Sequence, residues 1–190
     1  MTSAQPAEQL QPTDAVIAVD VQVDFCPGGA LAVEGGDEII PVMNAWLDAA
    51  AQRGARIYAS RDWHPPEHLS FHQRGGDWPP HCVQDTEGAA FHPDLKLPPG
   101  TVRITKGARL DRDQYSAFDE TGLAADLRHH GVRRVWVGGL AEDVCVRATA
   151  LDARKEGFET FVIRDATRPI TPEGGEAAEA ELRAAGVHIV

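Results

Sequence analysis

Apolar residues gather in six short runs rich in Val and Ile, at residues 15–20, 55–60, 101–106, 133–139, 159–165 and 187–190. The first, AVIAVD, is apolar without alternation up to its last residue, which is how a strand covered on both faces of a parallel sheet reads. Between the runs lie segments of helical pattern at residues 37–53, 121–130, 143–156 and 172–185, each stopped by a glycine: Gly54, Gly131, Gly157 and Gly186. Strand and helix in alternation predict an α/β fold, a single-domain doubly wound sandwich with a six-stranded, mostly parallel sheet, helices on both faces and right-handed crossovers. Residues 65–99 break the rhythm with prolines, glycines and four histidines, and a long irregular insertion in a compact domain is more often functional than idle. Residues 1–13 read as a flexible leader ahead of a domain spanning 14–190.

Composition narrows the partners. The 190 residues hold 18 Lys and Arg against 29 Asp and Glu, a formal net charge of -11, which argues against nucleic acid or an anionic membrane and leaves a small neutral substrate easy to accommodate. A homo-oligomer is compatible with this composition but not demanded by it. No apolar run approaches the roughly 18 residues of a spanning helix. The opening MTSAQPAEQLQP has neither the basic start nor the apolar stretch of a signal peptide, so cytoplasmic residence is the default expectation. Cys26, Cys82 and Cys145 cannot all pair within one chain, and their wide spacing suits neither a zinc ribbon nor a disulfide framework.

In open parallel sheets ligands sit beyond the carboxyl ends of the strands, so the residues there should face one another. The first predicted strand delivers Asp20, the second Asp62 and His64, the third Lys106, and the fourth the stretch from Gly138 to Cys145. Cys145 follows a buried strand and two glycines and falls in the first turn of a predicted helix, where the helix dipole and free N–H groups favour a thiolate. Alone, such a cysteine would more often simply pack against the sheet. Asp20 ends an apolar strand, where a carboxylate must cap a loop or serve chemistry. Asp62 and His64 are two apart, so in extended chain both project to one side, a spacing suited to shared coordination of a metal, and His81 comes from the inserted loop. An Asp-His-His set leaves positions open for water and substrate, unlike a closed structural zinc.

The segments VDVQVDFCPGGAL, RDWHPPEHLSF, WPPHCVQDT, TKGARLDRDQYSAF and GLAEDVCVRATALDA resemble the isochorismatase-like cysteine hydrolases, and within them the nicotinamidase/pyrazinamidase branch, over all but the first 13 or so residues. The resemblance implies Cys145 as nucleophile, Asp20 as general base and Lys106 as the third member. It further implies a cis Leu140–Ala141 peptide, an oxyanion hole from the N–H groups of Ala141 and Cys145, and one divalent metal on Asp62, His64 and His81. For that metal zinc comes first, with iron and manganese compatible. His68 lies where some members supply a further ligand, and Phe25 and Trp78 match residues that sandwich the pyridine ring. Hydrolysis of nicotinamide to nicotinate and ammonia, with activity on pyrazinamide, is the implied reaction. Two rivals stand beside it: a metal-free member of the same superfamily acting on carbamoyl or ureido compounds, and, more remotely, a metal-binding protein that is not an amidase. Asp24, Cys26 and Cys82 adjoin site residues but are expected only to support them.

Overall fold

The computed structural model describes residues 6–190. Its sheet contains β1 (Asp14–Val19), β2 (Arg56–Asp62), β3 (Val102–Lys106), β4 (Arg134–Leu140), β5 (Glu159–Arg168) and β6 (His188–Ile189), ordered β3-β2-β1-β4-β5-β6. Every pairing is parallel. The principal helices are α1 (Pro6–Gln9), α2 (Ile40–Arg53), α3 (Leu123–His129), α4 (Arg147–Lys155) and α5 (Pro172–Ala184).

β1 shows why an unbroken apolar run is needed. Its even residues Val16 and Ala18 enter the core beneath α2, with Met43, Trp46 and Leu47, while Ala15, Ile17 and Val19 enter the opposite core, with Leu123, Leu127, Ala150 and Leu182. A strand side chain alternates between faces, so a central strand with helices on both sides must be apolar at every position. The expected doubly wound sandwich is therefore present.

The boundaries differ from expectation in informative places. Of the leader expected over residues 1–13, residues 1–5 lie outside the described residues, but Pro6–Gln9 forms a helical turn and Leu10 is buried in the α2-side core. Arg134 reinforces this start by donating to the Gln9 carbonyl and to both carboxylate oxygens of Asp14. β2 runs two residues past the predicted end, to Asp62, which brings Asp62 into register with Lys106 of β3. The predicted helix after β4 opens instead with a wide turn, Glu142–Val146, whose Val146 N–H donates to Ala141 O, five residues back.

The strand order changes direction between β1 and β4. Chain crossing to opposite faces on either side of that point opens a crevice beyond their carboxyl ends. Asp20 follows β1 and Cys145 follows β4 at this crevice.

Candidate active site

A pocket of about 530 Å³, including its open mouth, lies at the crevice and is lined by Phe25, Asp62, Trp78, His81, Ala141 and Cys145 among others. Cys145 is buried in its lining, and Lys106 and Asp20 are buried beside Cys145. The Lys106 ammonium lies 2.8 Å from Asp20 Oδ2, 2.6 Å from Asp62 Oδ1 and 3.5 Å from Cys145 Sγ. Asp20 Oδ1 accepts from the Ser60 hydroxyl at 2.7 Å. Asp20 Oδ2, although close to the ammonium, receives no well-directed hydrogen bond, so its attraction to Lys106 is chiefly ionic.

Burial and neighbouring charge set the proton affinities. Burial pushes the Asp20 carboxyl up, with Lys106 pulling it back and Asp62 adding to the rise. Burial also pushes the Cys145 thiol well above its ordinary value; Lys106 opposes this while Asp20 and Asp62 reinforce it. Burial thus opposes the thiolate that the position after the strand favours, and the Asp20 carboxylate stands beside the sulfur. Lys106 stays charged because Asp20 and Asp62 outweigh the burial that would discharge it.

The second set adjoins the first. Asp62, His64 and His81 each offer one ligand atom, and these atoms lie within 4.8 Å of one another. His64 Nδ1–H donates to Gly107 O at 2.9 Å and His81 Nδ1–H to Pro79 O at 2.8 Å, which leaves Nε2 of each ring for coordination. Fixing the tautomer by a carbonyl behind the ring is how protein metal sites orient histidines. Burial pushes the Asp62 carboxyl up, but Lys106 and His64 together hold it well below the ordinary range, and burial lowers His81, so both are in the forms a cation needs. This donor set fits a divalent metal. Asp20, Asp62 and Cys145 are equally close together, but the Lys106 ammonium already occupies their centre.

His68 is a correction to the expected ligand set. Its Nε2–H donates to Arg112 O at 3.0 Å and its Nδ1 accepts from the Ser70 hydroxyl at 2.7 Å, so neither nitrogen is free. The ring instead stacks on His64 with centroids 4.2 Å apart, as a packing partner behind it. Phe25 packs against His81 at 5.5 Å, and Trp78 stands in the pocket wall with its Nε1–H donating to the Tyr115 hydroxyl at 3.2 Å. The Leu140–Ala141 peptide is cis, and both Ala141 and Cys145 line the pocket.

Of the contributors outside the expected catalytic and ligand sets, Gln22 and Gly107 were not expected from the sequence, whereas Asp24 was expected as a support. Gln22 is fully buried; its amide donates to Asp62 O and Ala89 O and accepts from Asp62 N, each at 2.8 Å. It thereby acts as a substitute strand edge for Asp62. Asp24 accepts from Cys82 N at 2.7 Å and Ala30 N at 3.0 Å, pinning the His81 loop to the segment after β1. Gly107 has a φ of 64°, and a β-carbon there would stand 2.5 Å from the His64 ring, so only glycine permits the carbonyl contact that orients His64. At Gly139 (φ 126°) a β-carbon would lie 2.0 Å from Val19 O, which shows how closely β1 and β4 approach at the crevice. Cys26 and Cys82 are buried free thiols, with Cys26 pushed up to about 11 by burial and Asp37, and neither lines the pocket.

Comparison with known proteins agrees with this geometry. Residues 14–190 match the isochorismatase domain. A nicotinamidase of Acinetobacter baylyi is 41% identical, with 91% of this chain and 90% of that protein covered. A nicotinamidase/pyrazinamidase of Mycobacterium tuberculosis is also 41% identical, covering 93% and 97%. The structure of a Pyrococcus horikoshii pyrazinamidase in complex with zinc superposes with a TM-score of 0.92 at 50% identity, covering 94% of this chain and 99% of the other. The fold, the residues at its crevice and these relatives agree, and the chain belongs to the isochorismatase family.

Proposed function

We propose that this protein hydrolyses nicotinamide to nicotinate and ammonia through a cysteine thioester, with one divalent metal held by Asp62, His64 and His81. The observation that carries the reading is Lys106: one buried ammonium bonds a carboxylate of each set, Asp20 and Asp62, and touches the Cys145 sulfur. A metal-free amidase would have no use for two histidines with their tautomers fixed and their free nitrogens converging. A protein that only bound metal would have no use for Asp20 and Cys145. The activities of the relatives support nicotinamide and, through the same ring-sized pocket, pyrazinamide.

A bound cation would supply Lewis-acid attraction for the ring nitrogen, with zinc the first choice and iron or manganese also suited to two imidazoles and a carboxylate. Phe25 and Trp78 flank the ring and set the carboxamide over Cys145. Asp20 takes the thiol proton as Sγ attacks the carboxamide carbon, which is why a raised thiol needs a base in contact. The oxyanion receives hydrogen bonds from the N–H groups of Ala141 and Cys145. The C–N bond then breaks as Asp20 returns the proton to the leaving nitrogen, releasing ammonia. Water, losing a proton to Asp20, cleaves the thioester; nicotinate departs and the proton returns to Cys145. Lys106 keeps Asp20 oriented and offsets negative charge on sulfur throughout. Conversion of nicotinamide to nicotinate would place the protein in NAD salvage, and we take the cytoplasm as its setting; among the described residues no helix is long and apolar enough to cross a membrane.

The test is product stoichiometry. The protein should release ammonia and nicotinate in equal amounts, and Cys145→Ala should release neither while still binding nicotinamide. Turnover by Cys145→Ala would refute the thioester route.

A further inference from the structure

The pocket wall carries two carboxylates, Asp62 and Asp113, and no lysine or arginine. Their situations differ. Asp62 is bonded to the Lys106 ammonium at 2.6 Å. Asp113 is half-buried and forms no ion pair among the described residues; it accepts from the N–H of Gln114, the next residue, at 3.0 Å and interacts with the Tyr115 hydroxyl. The arginines of the same loop turn elsewhere, Arg109 to Asp111 and Glu120 and Arg112 to Asp119 and Glu120. Asp113 stands near the Tyr115 hydroxyl, which itself receives the Trp78 indole N–H. A carboxylate with no ion-pair partner among the described residues thus shares a wall with Trp78, and the carbonyl of its neighbour Gln114 accepts from the Lys106 ammonium at 3.4 Å.

A neutral carboxamide and the carboxylate it becomes have nearly the same shape, so a pocket that fits one fits the other, and they are told apart by charge and by the hydrogen-bond donors that only the amide carries. We infer that Asp113 is a charge filter in this pocket, favouring the neutral amide over an anion of the same outline and so promoting release of the carboxylate product. For like charges about 7 Å apart under an effective dielectric of roughly 40 to 80, Coulomb's law gives a preference of about three- to tenfold. The inference rests on the reaction proposed above and names the specificity determinant of that site. Asp113 makes no bond to the reacting groups; it acts on the ligand through its field, which is screened by salt.

The test measures equilibrium binding of nicotinamide and nicotinate to Cys145→Ala protein carrying Asp113, Asp113→Asn or Asp113→Glu, at low and high salt. Asp113→Asn should lower the Kd of nicotinate about three- to tenfold relative to that of nicotinamide. Asp113→Glu, which keeps the charge, should leave the ratio within about twofold. High salt should narrow the preference when Asp113 is present and leave it unchanged in Asp113→Asn. If Asp113→Asn shifts both ligands equally, or if the preference of the Asp113 protein is indifferent to salt, the filter is overturned and Asp113 merely orders its loop through Gln114. If neither ligand binds the Asp113 protein, the substrate assignment falls and the filter with it.

Discussion

The site is assembled from two kinds of support, and they behave differently. Asp20, Lys106 and Cys145 stand at or just beyond the ends of β1, β3 and β4, where strand register and a packed core on each face decide their positions. His64 and His81 belong to irregular chain, and their rings are held by single carbonyls, Gly107 O and Pro79 O. Asp62 belongs to both: it is the register partner of Lys106 in the sheet, yet its backbone is clamped by the Gln22 amide. The proposed nucleophilic set thus stands on the strands, while the proposed ligand set depends on a few buried polar clamps, each of which can be removed singly. A clamp should matter for metal binding first and for the nucleophile only secondarily.

Substitutions can break that division, and the largest effect is expected where the two supports meet. Lys106→Ala would leave the Asp20 and Asp62 carboxylates buried without their cation, costing about 3–5 kcal/mol of folding stability and abolishing turnover. Thermal unfolding together with metal content measures both losses; loss of activity with full stability and full metal content would mean that Lys106 serves the sulfur alone. Gln22→Ala strands Asp62 N–H and two carbonyls and should weaken metal binding about 10- to 100-fold, with a stability cost of about 1–3 kcal/mol. Metal titration followed by calorimetry reads the affinity, and activity should return when metal is in excess, because the nucleophilic set is untouched. Gly107→Ala should behave as a milder version, since displacing His64 disturbs one ligand and leaves the Asp62 clamp intact.

A pH profile sharpens the strand-borne half. Burial raises the Asp20 carboxyl, and catalysis needs it ionised, so kcat/KM should fall as pH drops through a value above the ordinary carboxylate range. An acid limb at or below the usual aspartate value would remove Asp20 as the base. Asp20→Asn should erase that limb together with most of the activity.

How much of this was legible in the sequence follows the same division. Strands announce themselves by apolar runs, and in a parallel sheet their carboxyl ends are where ligands bind, so Asp20, Lys106 and Cys145 could be picked out before any coordinates. The Asp62–Lys106 bond could not, because the apolar run of the second strand stops at Ser60 while β2 continues through Arg61 and Asp62, polar residues held by pairing with β3. The wide turn that carries Cys145 was also hidden, since an apolar repeat cannot distinguish it from the start of an α-helix. The loop partners Gln22 and Tyr115 have no periodicity to reveal them; each is defined by a residue distant in sequence, Asp62 for Gln22 and Trp78 for Tyr115. His68 shows the converse error, where a motif suggests a ligand but a neighbouring hydroxyl and a carbonyl take both ring nitrogens.

In the proposed reaction the cysteine nucleophile and the metal site operate as one unit joined through Lys106. Its most direct test is ammonia release from nicotinamide by chelated protein during stepwise return of zinc, with Cys145→Ala carried in parallel. Activity should be lost on chelation, rise with zinc and level off at one ion per chain, while Cys145→Ala stays inactive at every metal content. Full turnover by the chelated protein, or any zinc-driven turnover by Cys145→Ala, would contradict it.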